Sequence, residues 1–300
     1  MGVMSRETAG ALIEAAFAAA DEHGAVSFAF QGGEPTVAGL DFFRDFVAMV
    51  SAFRPLDRQV SYALQTNGMA LNEEWTHFLK ENQFLVGLSV DGYRELHDHY
   101  RVDTKGDGTY GRVAKALALL QKFEVETNLL CVVTGQCAKH PQKTYASMKK
   151  LGVRYLQFIP CLDPLEEQRG RAVYSLTPKL YGDFLCGLFD QWYRDWAEGH
   201  YTSVRLFDDY VHLAMGEPAS TCAASGGCGS YFVVEADGGV YPCDFYVLDR
   251  WRMGDVHTDS LKQLANDETA SEFLRQGRLR PSRCASCRWV PLCNGGCRRD

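Results

Sequence analysis

Seven of the eleven cysteines lie beyond residue 221, at fixed intervals: Cys222, Cys228, Cys243, Cys284, Cys287, Cys293 and Cys297. Their spacing reads C-x5-C-x14-C, then C-x2-C-x5-C-x3-C. Short loops of this kind return sulfur to one region of space, and gathered thiolates bind soft metal centres. The grid predicts a metalloprotein, iron–sulfur ahead of zinc. The competing reading is a disulfide framework in an exported protein. An odd cysteine count, tight C-x2-C and C-x3-C loops and no basic-then-apolar leader speak against it. The expected setting is therefore reducing and cytoplasmic.

A second group could bind a ligand. Gln31-Gly32-Gly33-Glu34-Pro35 follows the apolar run Val26–Phe30. Paired glycines at a strand end let a ligand approach the main chain closely. Exposed backbone groups beside a carboxylate suit a positively charged amine. Other strings carry less. No strand leads into Gly106-x-Gly108-x-x-Gly111, so it reads as a loop before a helix starting at Thr109. Lys105 occupies a ligand position in Asp103-x-Lys105-x-Asp107, which excludes a calcium loop. His97 and His99 stand in a polar stretch and are expected at the surface.

The elements that must position these groups follow from the hydrophobic pattern. Strands are expected at Val26–Phe30, Val60–Leu64, Phe84–Val90, Thr127–Val133 and Tyr155–Ile159. Helices are expected at Arg6–Glu22, Leu40–Phe53, Glu73–Glu81, Thr109–Phe123 and Pro141–Leu151. Alternation of apolar strands with helices implies a parallel sheet covered by helices. Polar residues and glycines collect after the strands (QGGEP, QTNG, SVDG, IPC), at the carboxyl edge that holds active sites in such folds. Leu176–Trp196 and Val204–Met215 read as helices, the aromatics of the first as core. Asp237-Gly238 centres a hairpin of Tyr231–Glu235 and Val240–Pro242.

Composition sets limits. Three hundred residues with 46% hydrophobic content bury a full core, dividing naturally into one large and one small domain. A net charge of −7 without a contiguous Lys/Arg block argues against a nucleic-acid partner. No apolar run approaches the ~18 residues of a membrane span.

The segment Phe28–Phe43 (FAFQGGEPTVAGLDFF) resembles the GGEP region of radical S-adenosylmethionine (SAM) enzymes, and within them the anaerobic sulfatase-maturating enzymes. Residues 229–244 (GSYFVVEADGGVYPCD) and Cys284–Arg299 (CASCRWVPLCNGGCRR) resemble their SPASM domain, a twin-cluster module. The resemblance covers essentially the whole chain. It implies an α/β fold: a partial (β/α)6 radical SAM barrel lacking its first strand, then a small cysteine-rich α+β SPASM domain. The expected divisions are a barrel at 1–163, a helical bridge at 164–215 and a SPASM domain at 216–300.

The implied activity is oxidation of a Cys or Ser in a sulfatase polypeptide to formylglycine. The alternatives are another SPASM-type peptide-modifying enzyme and a non-catalytic metal-binding module. By resemblance, Gln31, Gly32, Gly33, Glu34, Ser89, Arg101 and Leu162 contact SAM. Asp244 is the general base; a carboxylate ordinarily near pKa ~3.9 needs burial or neighbouring negative charge to serve at neutral pH. Cys222, Cys228, Cys243 and Cys297 close a first auxiliary [4Fe–4S] cluster. Cys284, Cys287 and Cys293 supply three ligands of a second, which lacks a fourth here. The implied partners are a sulfatase polypeptide and an electron donor such as flavodoxin or ferredoxin. The family's C-x3-C-x2-C motif, expected upstream of Gln31, is absent, and the first cysteine is Cys131. The expectation is a chain cut at both ends and inactive as it stands. Cys131, Cys137, Cys161 and Cys186 fit no cluster and are expected to be small buried hydrophobes.

Overall fold

The computed structural model describes the chain except residues 1, 23, 56, 57, 166, 230 and 300. Six strands, β1 (Val26–Phe30), β2 (Val60–Thr66), β3 (Phe84–Ser89), β4 (Thr127–Val133), β5 (Tyr155–Pro160) and β6 (Ser203–Val204), form one parallel sheet in sequential order. Eight helices accompany them: α1 (Arg6–Ala19), α2 (Leu40–Phe53), α3 (Glu73–Glu81), α4 (Arg94–Tyr100), α5 (Tyr110–Lys122), α6 (Pro141–Lys149), α7 (Pro178–Ala197) and α8 (Arg205–Ala214). The tail adds α9 (Cys222–Ser225), a three-stranded antiparallel sheet of β7 (Val233–Val234), β8 (Gly239–Tyr241) and β9 (Gly254–Asp255), and the helices α10 (Leu261–Leu264), α11 (Glu268–Gly277) and α12 (Val290–Cys293).

The first five strands match the expected ones to within two residues. β6 is a sixth, only two residues long. The first expected strand of the hairpin shortens to Val233–Val234, the second keeps its length one residue earlier at Gly239–Tyr241, and β9 joins them as a third. α4 was not expected; its sequence RELHDHY is polar, and only Leu96 and His97 are buried.

Two compact units make up the chain, residues 1–62 with 212–299 and residues 63–211. In the first, α1 is capped by Ser5 Oγ, which accepts the Thr8 N–H at 3.0 Å. Ala9 and Ile13 pack with Val26, Phe28, Phe46 and Val50. Ala11, Leu12, Ala15 and Ala19 cover a second core of Val240, Met253, Val256, Leu261, Leu264 and Ala270. α1 is thus apolar on more than one side because it is covered on more than one side. In the second unit, the core comes from the strands (Val86, Leu88, Leu129, Cys131, Leu156) and from Leu79, Leu120, Tyr145 and Phe184 on the helices. The strand register sets Ser89 beside Leu130 and Cys131 beside Phe158. Among the described residues no helix is long and apolar enough to cross a membrane.

Candidate functional site

The carboxyl end of β1 turns at once. Gly32 and Gly33 take φ of +90° and +56°, a region that L side chains enter at a steric penalty, and a Cβ on either would meet nothing within 4 Å. The turn therefore presents bare main chain to open space. Glu34 closes it: its Oε1 accepts the Thr36 N–H at 3.2 Å and the Thr36 hydroxyl at 2.6 Å. Before the turn, Gln31 Nε2 donates to Asp244 Oδ2 at 2.8 Å, across 213 residues of chain.

The other oxygen of Asp244 is held by the tail hairpin. Val233 pairs with Tyr241 and Val234 with Val240. Carried two residues outward, this register sets Tyr231 opposite Cys243. The Tyr231 hydroxyl accordingly donates to Asp244 Oδ1 at 2.6 Å and lies 3.7 Å from Cys243 Sγ. Desolvation, and then the carboxylate beside it, push the Tyr231 phenol far up, so it stays a donor. Asp244 is half-buried and held by the Gln31 amide, the Tyr231 hydroxyl and, at 3.5 Å, the Cys243 thiol, all neutral donors; among the described residues no cation pairs with it. A carboxylate so held keeps its direction without being neutralised. Sequence reasoning had not singled out Tyr231. The Asp237-Gly238 turn that sets the register was the available signal.

In the second unit, Ser89 is buried at the end of β3. Two residues on, Asp91 is buried and accepts three hydrogen bonds. Arg101 Nε and Nη2 donate at 2.6 and 3.3 Å, and the Val132 N–H at 2.9 Å. One edge of the Arg101 guanidinium is thus committed, while Nη1 has no hydrogen bond among the described residues. His97 is fully buried, contrary to the expectation of a surface histidine. Its Nδ1 accepts the Asp91 N–H at 3.1 Å, which leaves Nε2–H to donate to Thr109 Oγ1 at 3.0 Å. Thr109 in turn donates to the Arg101 carbonyl at 2.9 Å. Burial holds the imidazole below its ordinary pKa, in the neutral form this network requires. Asp91, like Tyr231, had not been singled out. Leu162 lies half-buried in the loop after β5.

Among the other cysteines, Cys131 and Cys137 are buried as expected, Cys161 is half-buried, and Cys186 is exposed, so it is no core residue. The tail cysteines all sit in the first unit. Cys228 and Cys243 pack against one aromatic cluster of Tyr246, Trp251 and Phe273. The Arg298 guanidinium lies 4.7, 5.5 and 4.9 Å from those rings. The loop carrying Cys222 and Cys228 is tied to that carrying Cys293 and Cys297: Asn294 Nδ2 donates to the Ala224 carbonyl at 2.8 Å.

Comparison with known proteins places this architecture. The radical SAM superfamily matches residues 4–148, and the SPASM iron–sulfur cluster-binding domain matches residues 226–288. A cysteine-type anaerobic sulfatase-maturating enzyme of Clostridium novyi (strain NT) is 41% identical over all of this chain and 79% of its own length. The chain belongs to the anaerobic sulfatase-maturating enzyme family. The structure of native anSMEcpe with bound AdoMet and Cp18Cys peptide superposes with a TM-score of 0.96 at 43% identity, covering 99% of this chain and 82% of that one. A serine-type anaerobic sulfatase-maturating enzyme of Bacteroides thetaiotaomicron is more distant, 30% identical over 92% of this chain and 69% of its own.

As members of this maturase family use iron–sulfur clusters, the donor set can be tested against that cofactor. Contacting loops deliver the sulfurs, but not to one point: among the described residues no three His, Cys, Asp or Glu side chains stand as a metal site. Two of the thiols, Cys243 and Cys228, are held in their neutral form. Burial pushes Cys243 up to about 11, and burial followed by the neighbouring Cys222 raises Cys228. Metal binding requires the thiolates, and its charge supplies the pull that deprotonates and gathers them. The loops are prepared for that state. Main-chain N–H groups of Gly295 and Arg299 donate to Cys293 and Cys297 sulfur, each at 3.4 Å, the kind of bond that tunes cluster thiolates. Donor type and second-layer hydrogen bonds therefore fit iron–sulfur ligation.

Proposed function

We propose that this protein, in a form that also carries the C-x3-C-x2-C triplet, converts a cysteine of a sulfatase polypeptide to formylglycine, with Asp244 as the base. The observation that carries the proposal is Asp244 itself, directly after Cys243 and oriented by Gln31 from the strand-end turn and by Tyr231 from the hairpin. The cysteine-type target is favoured because cysteine-type relatives are 41–43% identical and serine-type ones 30–32%.

When bound, SAM and the clusters supply hydrogen-atom abstraction and electron transfer. The residues of the chain do the rest. Gln31, Gly32, Gly33 and Glu34 offer open main chain and polar atoms to the amino end of SAM. Ser89 and the uncommitted edge of Arg101 serve its polar groups, and a guanidinium edge suits a carboxylate. Leu162 supplies an apolar wall. Cys222, Cys228, Cys243 and Cys297 would hold one auxiliary cluster, and Cys284, Cys287 and Cys293 would contribute to a second. Once the target Cβ has lost a hydrogen atom, Asp244 accepts the thiol proton and the remaining unpaired electron would pass to a bound auxiliary cluster, so that the carbon–sulfur bond becomes double. Water then replaces sulfur, giving the aldehyde and hydrogen sulfide. Gln31 and Tyr231 aim the accepting oxygen.

The 300 residues contain no C-x3-C-x2-C triplet, and we propose that they do not cleave SAM by themselves; 5′-deoxyadenosine formed from SAM and dithionite would contradict this. The activity is tested in a form carrying the triplet, reconstituted with iron and sulfide and given SAM, dithionite and a cysteine-bearing sulfatase peptide. The expected product is a peptide whose CH2SH has become CHO by mass. An unaltered peptide in the presence of 5′-deoxyadenosine would overturn the assignment.

A further inference from the structure

Residues 275–299 contain seven arginines and no acidic residue, while the remainder of the chain holds all 38 Asp and Glu. The arginines are not contiguous until Arg298-Arg299, so no basic block shows in the sequence. The structure sorts them. Arg275 pairs bidentately with Glu272 at 2.7 Å on both edges, Arg298 turns onto the Tyr246–Trp251–Phe273 cluster, and Arg299 is buried. Arg278, Arg280, Arg283 and Arg288 are exposed, and among the described residues no carboxylate pairs with any of them.

These four flank two large exposed apolar groups, Leu279 at 66% and Trp289 at 55% exposure, with the Arg288 guanidinium 4.5 Å from the Trp289 ring. Arginine and tryptophan are among the residues that dominate binding energy at protein interfaces, and unpaired surface charge is what steers association. The same stretch carries Cys284, half-buried, and Cys287, exposed.

We infer that residues 278–289 dock an acidic protein that carries single electrons. The inference rests on the redox reading above and adds where the carrier binds. Charge complementarity selects the partner. An extended polyanion crossing the patch would run onto an otherwise acidic molecule, whereas a compact acidic protein can seat on the patch alone. The cysteines in the segment give such a carrier a reason to bind here.

Binding is measured anaerobically by calorimetry between the iron- and sulfide-reconstituted chain and flavodoxin as the acidic probe, at low and high ionic strength. Affinity should fall with salt. The fourfold reversal Arg278→Glu, Arg280→Glu, Arg283→Glu, Arg288→Glu should weaken it by roughly tenfold or more and flatten the salt dependence. The milder Arg278→Gln, Arg288→Gln pair should lie between, with the visible cluster spectrum intact, and decides the matter should the fourfold variant lose its clusters. Arg112→Glu, outside the segment, should change nothing. Unchanged affinity in the segment variants, an equal loss in Arg112→Glu, or binding of duplex DNA or phosphatidylserine vesicles in place of flavodoxin would each overturn the inference. The readout is independent of turnover, so a peptide left unoxidised would remove the maturase reading and leave the docking result standing.

Discussion

Asp244 accepts from a glutamine amide on one oxygen and a tyrosine hydroxyl on the other, and each contact has a measurable consequence. Asp244→Asn removes the proposed base, for which a loss of roughly 10²–10⁴-fold in formylglycine formation is expected while SAM cleavage persists. Tyr231→Phe deletes one donor to a charged acceptor, a contribution of about 1.5–3 kcal/mol, and should lower the rate at least several-fold with little change in peptide KM. A fall in KM affinity alone, with kcat preserved, would show that Tyr231 binds peptide instead of aiming the carboxylate. A second residue-scale expectation concerns pH. The neutral His97 is held below its ordinary pKa of 6.5, so the unfolded chain takes up this proton first as pH falls. Its stabilisation is complete above about pH 6.5 and is lost as pH falls through the lowered native value. Urea midpoints at pH 7.5 and 5.5 should differ more for the wild type than for His97→Gln; equal differences would contradict the burial network.

At the scale of elements, much was legible. Strands β1 to β5 are continuous apolar runs bounded by Gly, Asn or Pro, and a parallel sheet buried on both faces requires such runs. β6 was missed because two residues cannot display a period, and α4 because its exposed face is charged throughout. The cysteine grid announced its chemistry through spacing alone. The contacts that fix the candidate residues within each unit were not legible in the same way: Gln31 with Asp244 depends on how segments 213 residues apart meet, and Asp91 with Arg101 on the course of α4 between them. Tyr231 is the intermediate case, since a turn already identified sets its partner. Element joints also carry a prediction. Asn294 adopts φ +49° and ties the Cys222–Cys228 loop to the Cys293–Cys297 loop. A Cβ on Gly226 would come 2.6 Å from the Asn294 Cβ, so the two loops are in close contact. Asn294→Ala loses the hydrogen bond and a residue tolerant of that backbone, together about 1–2 kcal/mol. Iron should be lost faster to a chelator, and an unchanged rate would mean that the loops hold the cluster independently.

For the whole molecule, the fold and family membership follow from the close superposition and from identity over the full chain. The cysteine-rich tail carries seven thiols, half-buried or exposed, in the region where the SPASM iron–sulfur cluster-binding domain matches or just outside it. The most direct measurement is anaerobic reconstitution of this chain with iron and sulfide, followed by assay of both elements and the visible spectrum. The account predicts a brown protein with matched iron and acid-labile sulfide, and loss of both in the combined variant Cys222→Ser, Cys228→Ser, Cys243→Ser. A colourless protein that takes up zinc and no sulfide would contradict it.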